Sequence, residues 1–435
     1  MEVVRCETNC GSLEGFRKDG VCRYLGIRYA AAGRWEYPRE ITHWDGVYRA
    51  AEFGPAAMQQ RTFEPETEES FYYREFRKGI DFSYSEDCQY LNLYVPEHCE
   101  NAPVILYIHG GAFQGGAGHE KPFDGSLYAQ RGIIFASCNY RLGPFGFCSH
   151  PLLKEEAGHT GNYGLYDQLT AVKWLYHNIG AFGGNPENIT VMGQSAGAMS
   201  IQQLCSSREA EPYIAKAIMT SGGGIGKQFA KFMTAEETYP FWEKVLSALG
   251  SSMREWREAS PEQVLKQTNL AMAGDMEAIN NVMPVLDGVM ITERGEELEQ
   301  SGNWLKIPYM AGTTKDDMLA PVLAGMAKEW AALQFEKGYP PAYCFWFGRN
   351  LPGDDKGAWH SSELWYTIGQ LGRCWRPFEE WDREISRTMM QYIENFVRNG
   401  TPSGEGLPVW ESTNHPDAPV LCITDSEIKM GMPFA

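Results

Sequence analysis

The sequence predicts an α/β chain: a mostly parallel central sheet, antiparallel strands at its N-terminal end and helices on both faces. Three observations predict it. Short apolar runs rich in Val and Ile recur without polar alternation, as in strands buried on both faces. Amphipathic stretches at helical spacing lie between those runs. The first hundred or so residues instead alternate short apolar pieces with Gly and charged turns, the pattern of edge hairpins.

Taken in order, residues 11–29 (GSLEGFRKDGVCRYLGIRY) predict antiparallel edge strands. Buried strands are predicted at 104–108 (VILYI), 132–137 (GIIFAS), 188–192 (NITVM), 215–219 (AKAIM) and 307–311 (IPYMA). Leu165, Leu169, Val172, Leu175 and Ile179 form one helical stripe over 164–179. Ile385, Met389, Ile393, Phe396 and Val397 form another, stopped by Asn399-Gly400 with Pro402 following. Residues 227–283 are charged and helix-prone, with Trp242 and Trp256 and no buried-strand run. They predict a helical insertion above the sheet, within a single domain spanning 1–435.

A chain of 435 residues, 43% apolar and 22% charged, is an ordinary globular composition able to bury a large core. Its formal charge of −18 argues against nucleic acid and anionic membranes as partners. The eleven cysteines show no zinc-ligand spacing, and MEVVRCETNC at the start lacks the apolar stretch of a secretory signal. We expect a soluble, cytoplasmic protein with mostly reduced thiols and no metal or organic cofactor.

The chemistry-bearing motif is Gly193-Gln194-Ser195-Ala196-Gly197. It follows a predicted strand and precedes a helix-prone stretch, the strand–turn–helix setting of an α/β-hydrolase nucleophile elbow. Such a turn strains the serine backbone so that Oγ projects from the sheet, and glycines on either side avoid collision with neighbouring elements. His109-Gly110-Gly111-Ala112-Phe113 ends the first buried strand. Preorganised N–H groups there stabilise the oxyanion of acyl transfer. We assign the donors to the backbones of Gly110, Gly111 and Ala196, and read His109 itself as structural.

In this fold the triad order is serine, acid, histidine. Only His360 and His415 follow Ser195, and His415 lies in a polar turn near the C-terminus. His360 is therefore the expected base. The acid is expected after the strand at 307–311, at Asp316 or Asp317, while Gly288 makes Asp287 a turn residue.

Together these residues resemble the type-B carboxylesterase family, which includes bacterial para-nitrobenzyl esterases, cholinesterases and neuroligins. The resemblance also rests on Gly26-Ile27-Arg28-Tyr29-Ala30, Glu86-Asp87-Cys88-Gln89-Tyr90-Leu91-Asn92-Leu93, Asn139-Tyr140-Arg141-Leu142, Gly161-Asn162-Tyr163-Gly164-Leu165-Tyr166-Asp167-Gln168 and Phe182-Gly183-Gly184-Asn185-Pro186. It implies that Asp317 is the acid, since Lys315-Asp316-Asp317 stands where the family has Lys-Asp-Glu. It implies scaffold ion pairs Arg34–Glu86 and Arg141–Asp167. Gln194 replaces the family's Glu, so a choline-type cation is not expected. The segment between Asp317 and His360 is short for the family, which predicts a more open cleft. Phe113, Phe182, Gln194 and Trp365 are assigned to the substrate pocket, with Tyr366 beside them. Phe71-Tyr72-Tyr73 is expected to cover the entrance. The function expected is hydrolysis of small-molecule carboxylic esters through an acyl-enzyme. The alternatives are a non-catalytic binding protein on the same scaffold, or amide or thioester cleavage by the same triad.

Overall fold

A computed structural model describes residues 2–225 and 232–433. Among the described residues, twelve strands form a continuous path through a thirteen-stranded sheet. In chain order they are β1 (Glu2–Thr8), β2 (Gly11–Lys18), β3 (Val21–Arg28), β4 (Tyr90–Pro96), β5 (Ala102–Ile108), β6 (Ile134–Cys138), β7 (Gly184–Gln194), β8 (Lys216–Thr220), β9 (Tyr309–Thr314), β10 (Ala342–Phe347), β11 (Val420–Ile423) and β12 (Ile428–Gly431). Their spatial order is β1-β2-β3-β4-β6-β5-β7-β8-β9-β10-β11-β12, with the short strand Tyr48–Arg49 beside β2. From β6 to β11 every pairing is parallel. At both ends the sheet turns antiparallel.

Each of the five buried runs expected from the sequence lies on a parallel strand, within a few residues of the predicted limits. Alternate residues of the central strands feed opposite faces, as the two-residue period of a strand requires. Val104, Leu106, Ile108, Ile189, Val191, Ala217 and Met219 pack on one side with helices α1 (Tyr163–Asn178) and α2 (Ala196–Cys205). Ile105, Tyr107, Phe135, Met192 and Ile218 pack on the other, against the long C-terminal helix (Glu380–Asn399) through Ile385, Met389, Ile393, Phe396 and Val397. That helix ends where expected, with Gly400 in the left-handed region at φ +77°.

Of the insertion expected at 227–283, residues 227–231 lie outside the described residues. The remainder is helical: α3 (Ala235–Ser247), α4 (Met253–Glu258) and α5 (Pro261–Met272), then a 3-10 turn at Met276–Val282. Trp242, Trp256, Val264 and Val282 build a separate core cluster with Trp35, Phe145 and Tyr163. Helix α6 (Ala320–Glu336) and the strands β10 and β11 are among the elements that go beyond the sequence expectations. Among the described residues no helix is long and apolar enough to cross a membrane.

Candidate active site

Parallel register brings the C-terminal ends of β5, β7, β8 and β9 side by side. Ile108 pairs with Gly193, Gln194 with Thr220, and Thr220 with Gly312. The three predicted motifs leave the sheet at these ends, where open α/β sheets place their ligand crevices.

Ser195 sits between β7 and α2 at φ 57°, ψ −126°, a conformation costly for any residue but glycine. Its N–H donates to Thr220 O at 2.8 Å, which ties the turn to β8. The flanking glycines are required by space. A Cβ on Gly193 would lie 2.7 Å from the Gly197 carbonyl carbon and 2.9 Å from Ile108 O, and one on Gly197 would overlap Ile108 O. Gly222 is absent from the sequence expectations, yet a Cβ there would overlap Ser195 O. The Ser221-Gly222-Gly223-Gly224 run after β8 is the signal that could have found it.

The oxyanion candidates converge on the same turn. A Cβ on Gly110 would stand 2.6 Å from Gln194 O and 3.0 Å from Ser195 Cβ. Among the described residues, the N–H groups of Gly110, Gly111 and Ala196 take no part in the turn and loop hydrogen bonds. Ala196 opens helix α2, whose first N–H groups have no intrahelical acceptor. Strain concentrates here: of the nine non-glycine residues with positive φ among the described residues, five are Ala112, Phe113, Ser195, Ser221 and Ser361. His109 is structural. Its Nδ1 lies 2.8 Å from Gly110 O, its ring stacks on Tyr140, and burial pushes it down to about 4.

His360 Nδ1 lies 2.7 Å from Asp317 Oδ1. The Asp317 side chain is fully buried and also accepts from Thr313 Oγ1 (3.2 Å), Thr314 Oγ1 (3.1 Å) and the Met318 N–H (2.8 Å). Burial alone would raise its carboxyl, but the hydrogen bond and charge of His360 outweigh this and hold it below its ordinary value. Asp316 acts on the backbone instead. Its N–H donates to Ala358 O at 3.0 Å and its Oδ2 accepts from the Ala358 N–H at 2.8 Å, pinning the histidine loop. Asp287 caps a turn by accepting from three consecutive N–H groups, Val289 to Ile291, and His415 is on the surface. At its other nitrogen, His360 Nε2 lies 3.2 Å from Gln194 Nε2, on the residue next to Ser195.

The histidine loop is gripped from outside by the Phe71-Tyr72 segment. The Tyr72 hydroxyl donates to His360 O at 3.2 Å, and Phe71, Tyr72 and Phe76 surround Trp359 at centroid distances of 4.9, 5.9 and 5.7 Å. Glu75 anchors this segment through a fully buried ion pair with Arg376 at 2.9 Å. The sequence suggests a cover but not its partner. Glu363, three residues after His360, is buried beneath the site, and its Oε1 accepts from Thr220 Oγ1 at 2.9 Å. Burial pushes its carboxyl up to about 7, with Asp317 adding to the rise and His360 opposing it.

Three of the four pocket assignments fall on buried rings that pack against other side chains. Phe182 packs edge-on against Tyr24 beside the start of β7, at the opposite end of that strand from Ser195. Adjacency to the family motif misleads, because the strand intervenes. Trp365 is fully buried in the core under the C-terminal helix, against Phe76. Phe113 is fully buried against Phe147. Tyr366 is likewise core, its hydroxyl donating to Asp382. Gln194 lies at the site, next to Ser195 and against His360. The scaffold pairs form as expected: Arg34 with Glu86, and Arg141 with Asp167 through two 2.8 Å contacts. Gln89 reaches toward the second pair, 3.5 Å from Asp167 Oδ2.

A sequence model of the carboxylesterase family matches residues 2–339 and 326–432. The chain is 36% identical over 321 residues to the para-nitrobenzyl esterase of Bacillus subtilis (strain 168), a match covering 71% of this chain and 62% of that one. It is 32% identical over 326 residues to the fumonisin B1 esterase of Sphingopyxis macrogoltabida, covering 73% of this chain and 56% of that one. The matched stretch thus spans less than two thirds of either relative. A solved PNB esterase structure superposes with a TM-score of 0.83 at 28% identity, covering 98% of this chain and 97% of that chain. The chain has the α/β-hydrolase fold and belongs to the carboxylesterase family.

Proposed function

We propose that the protein is a serine carboxylesterase that hydrolyses small-molecule carboxylic esters through an acyl-enzyme. The observation that carries this reading is the 2.7 Å contact of His360 Nδ1 with Asp317 Oδ1, on an imidazole whose other nitrogen sits against the residue next to Ser195. In the mechanism, His360 takes the Ser195 proton as Oγ attacks the ester carbonyl. Asp317 holds the tautomer and stabilises the imidazolium. The N–H groups of Gly110, Gly111 and Ala196 receive the oxyanion. The alcohol leaves with the proton from His360, and water then cleaves the acyl-enzyme by the same route.

The names of the relatives, para-nitrobenzyl and fumonisin B1 esterase, support an ester substrate. The neutral Gln194 leaves no carboxylate beside Ser195 for a cationic alcohol, so we assign neutral esters in a comparatively open cleft. A cytoplasmic location fits this reading, because all eleven cysteines are free. The test is labelling of Ser195 by a fluorophosphonate together with turnover of p-nitrophenyl esters. Ser195→Ala is expected to abolish labelling and to cut turnover on the order of 10⁶-fold with an unchanged melting temperature. Unchanged turnover overturns the proposal. Faster cleavage of a matched amide or thioester would move it to that chemistry.

A further inference from the structure

Catalysis on this reading needs the lone pair of His360 Nε2. Because Nδ1 donates to Asp317, Nε2 of the neutral imidazole is the acceptor. The atom on it is Gln194 Nε2 at 3.2 Å, and an amide nitrogen can only donate. The contact is therefore a hydrogen bond from Gln194 to the base. The other end of the same amide reaches the oxyanion loop: Gln194 Oε1 lies 3.3 Å from where a Cβ would stand on Gly110. Gln194 is only 3% exposed, so the side chain is confined between the two. One side chain thus spans the two working parts of the site.

We propose that Gln194 is a positioning residue for the base, holding His360 as the neutral acceptor tautomer beside Ser195 until the serine hydroxyl takes its place. The inference rests on the proposed triad. Other groups face the imidazole elsewhere: Asp317 at Nδ1, the Tyr72 hydroxyl at the main-chain carbonyl, and buried Glu363 along the same turn. Among the described residues Gln194 alone meets Nε2, and it brings no charge. A carboxylate in its place would accept from a protonated Nε2 and favour the imidazolium.

The experiment compares pH profiles of kcat/KM on p-nitrophenyl acetate for the wild type, Gln194→Glu and Gln194→Met. Gln194→Glu is expected to move the acidic limb upward by about one pH unit. Gln194→Met, similar in length but without a donor, is expected to leave the limb in place and lower kcat about tenfold with little change in KM. A merely structural glutamine would change melting temperatures and move neither limb nor kcat. Coincident limbs in Gln194→Glu and wild type, or wild-type kcat in Gln194→Met, overturn the inference. Imidazole ¹⁵N NMR of the wild type requires no variant to fold: Nδ1 protonated and Nε2 bare is expected, and a neutral ring protonated at Nε2 overturns it. Ser195→Ala separates the two failures, since retained turnover there would sink the triad itself.

Discussion

Around Ser195 the placing is done by backbone: β7 feeds directly into α2, glycines at 193, 197 and 222 admit contacts that no side chain would, and the Ser195 N–H is tied to Thr220. Around His360 it is done by side chains drawn from distant parts of the chain. Asp317 and Asp316 come from the end of β9, Tyr72 and Phe71 from the segment before β4, and Arg376 holds Glu75 beneath them. A turn coded by adjacent residues tolerates no change of shape. A loop assembled by side chains shares its load among many contacts, so single losses there are expected to be graded.

The sharpest break of this contrast is within the Asp pair. Asp317→Asn is expected to lower kcat on the order of 10⁴-fold by losing the tautomer, whereas Asp316→Asn should cost no more than about tenfold, because it acts through the loop. Steady-state kinetics on one ester decides this, and equal losses would erase the distinction. On the backbone side, Gly197→Ala forces a Cβ into Ile108 O and should destabilise the fold by about 4 kcal/mol or more. Denaturant unfolding measures it, and a near-neutral result would show that the elbow yields.

Glu363 sharpens the comparison through pH. Its carboxyl is raised from 4.5 to about 7 by burial, so the folded state keeps a proton that the unfolded chain releases across that window. Stability from this group is whole below about pH 4.5 and is lost as pH rises through 7, by up to about 3 kcal/mol. Glu363→Gln should therefore gain on the wild type between pH 4.5 and 7 and hold a constant lead above it. Parallel stability curves across that window would refute the buried-acid assignment. The smallest effect is expected for Tyr72→Phe. Loss of one hydrogen bond to the His360 carbonyl, about 1 kcal/mol, should lower kcat roughly fivefold. An unchanged kcat would mean that aromatic packing on Trp359 suffices.

The same contrast explains what is legible in the sequence. The elbow, the glycines proposed for the oxyanion and the strands that carry them are local, and their signals lie within a few residues of one another. The central strands are readable because they are buried on both faces. β10 (AYCFWF) escapes because it follows two prolines and is mostly aromatic, and α6 because its apolar residues do not keep to one stripe. Asp317 rather than Asp316 meeting His360 depends on the turn after β9, and from the residues alone both stand open. The pocket assignments are limited for a related reason. Phe182 borders a motif in sequence, but the length of β7 separates its ring from Ser195, while the Phe113 and Trp365 rings pack against Phe147 and Phe76.

The left-handed backbone at Ser195 has a consequence for how such a chain can change. A glycine at position 195 would relax the turn, so thermal hardiness and reactivity pull on this residue in opposite directions. Selection for a hotter-melting protein, left to itself, would act against the proposed nucleophile. Any laboratory evolution of this chain toward heat resistance therefore has to screen for turnover in the same round.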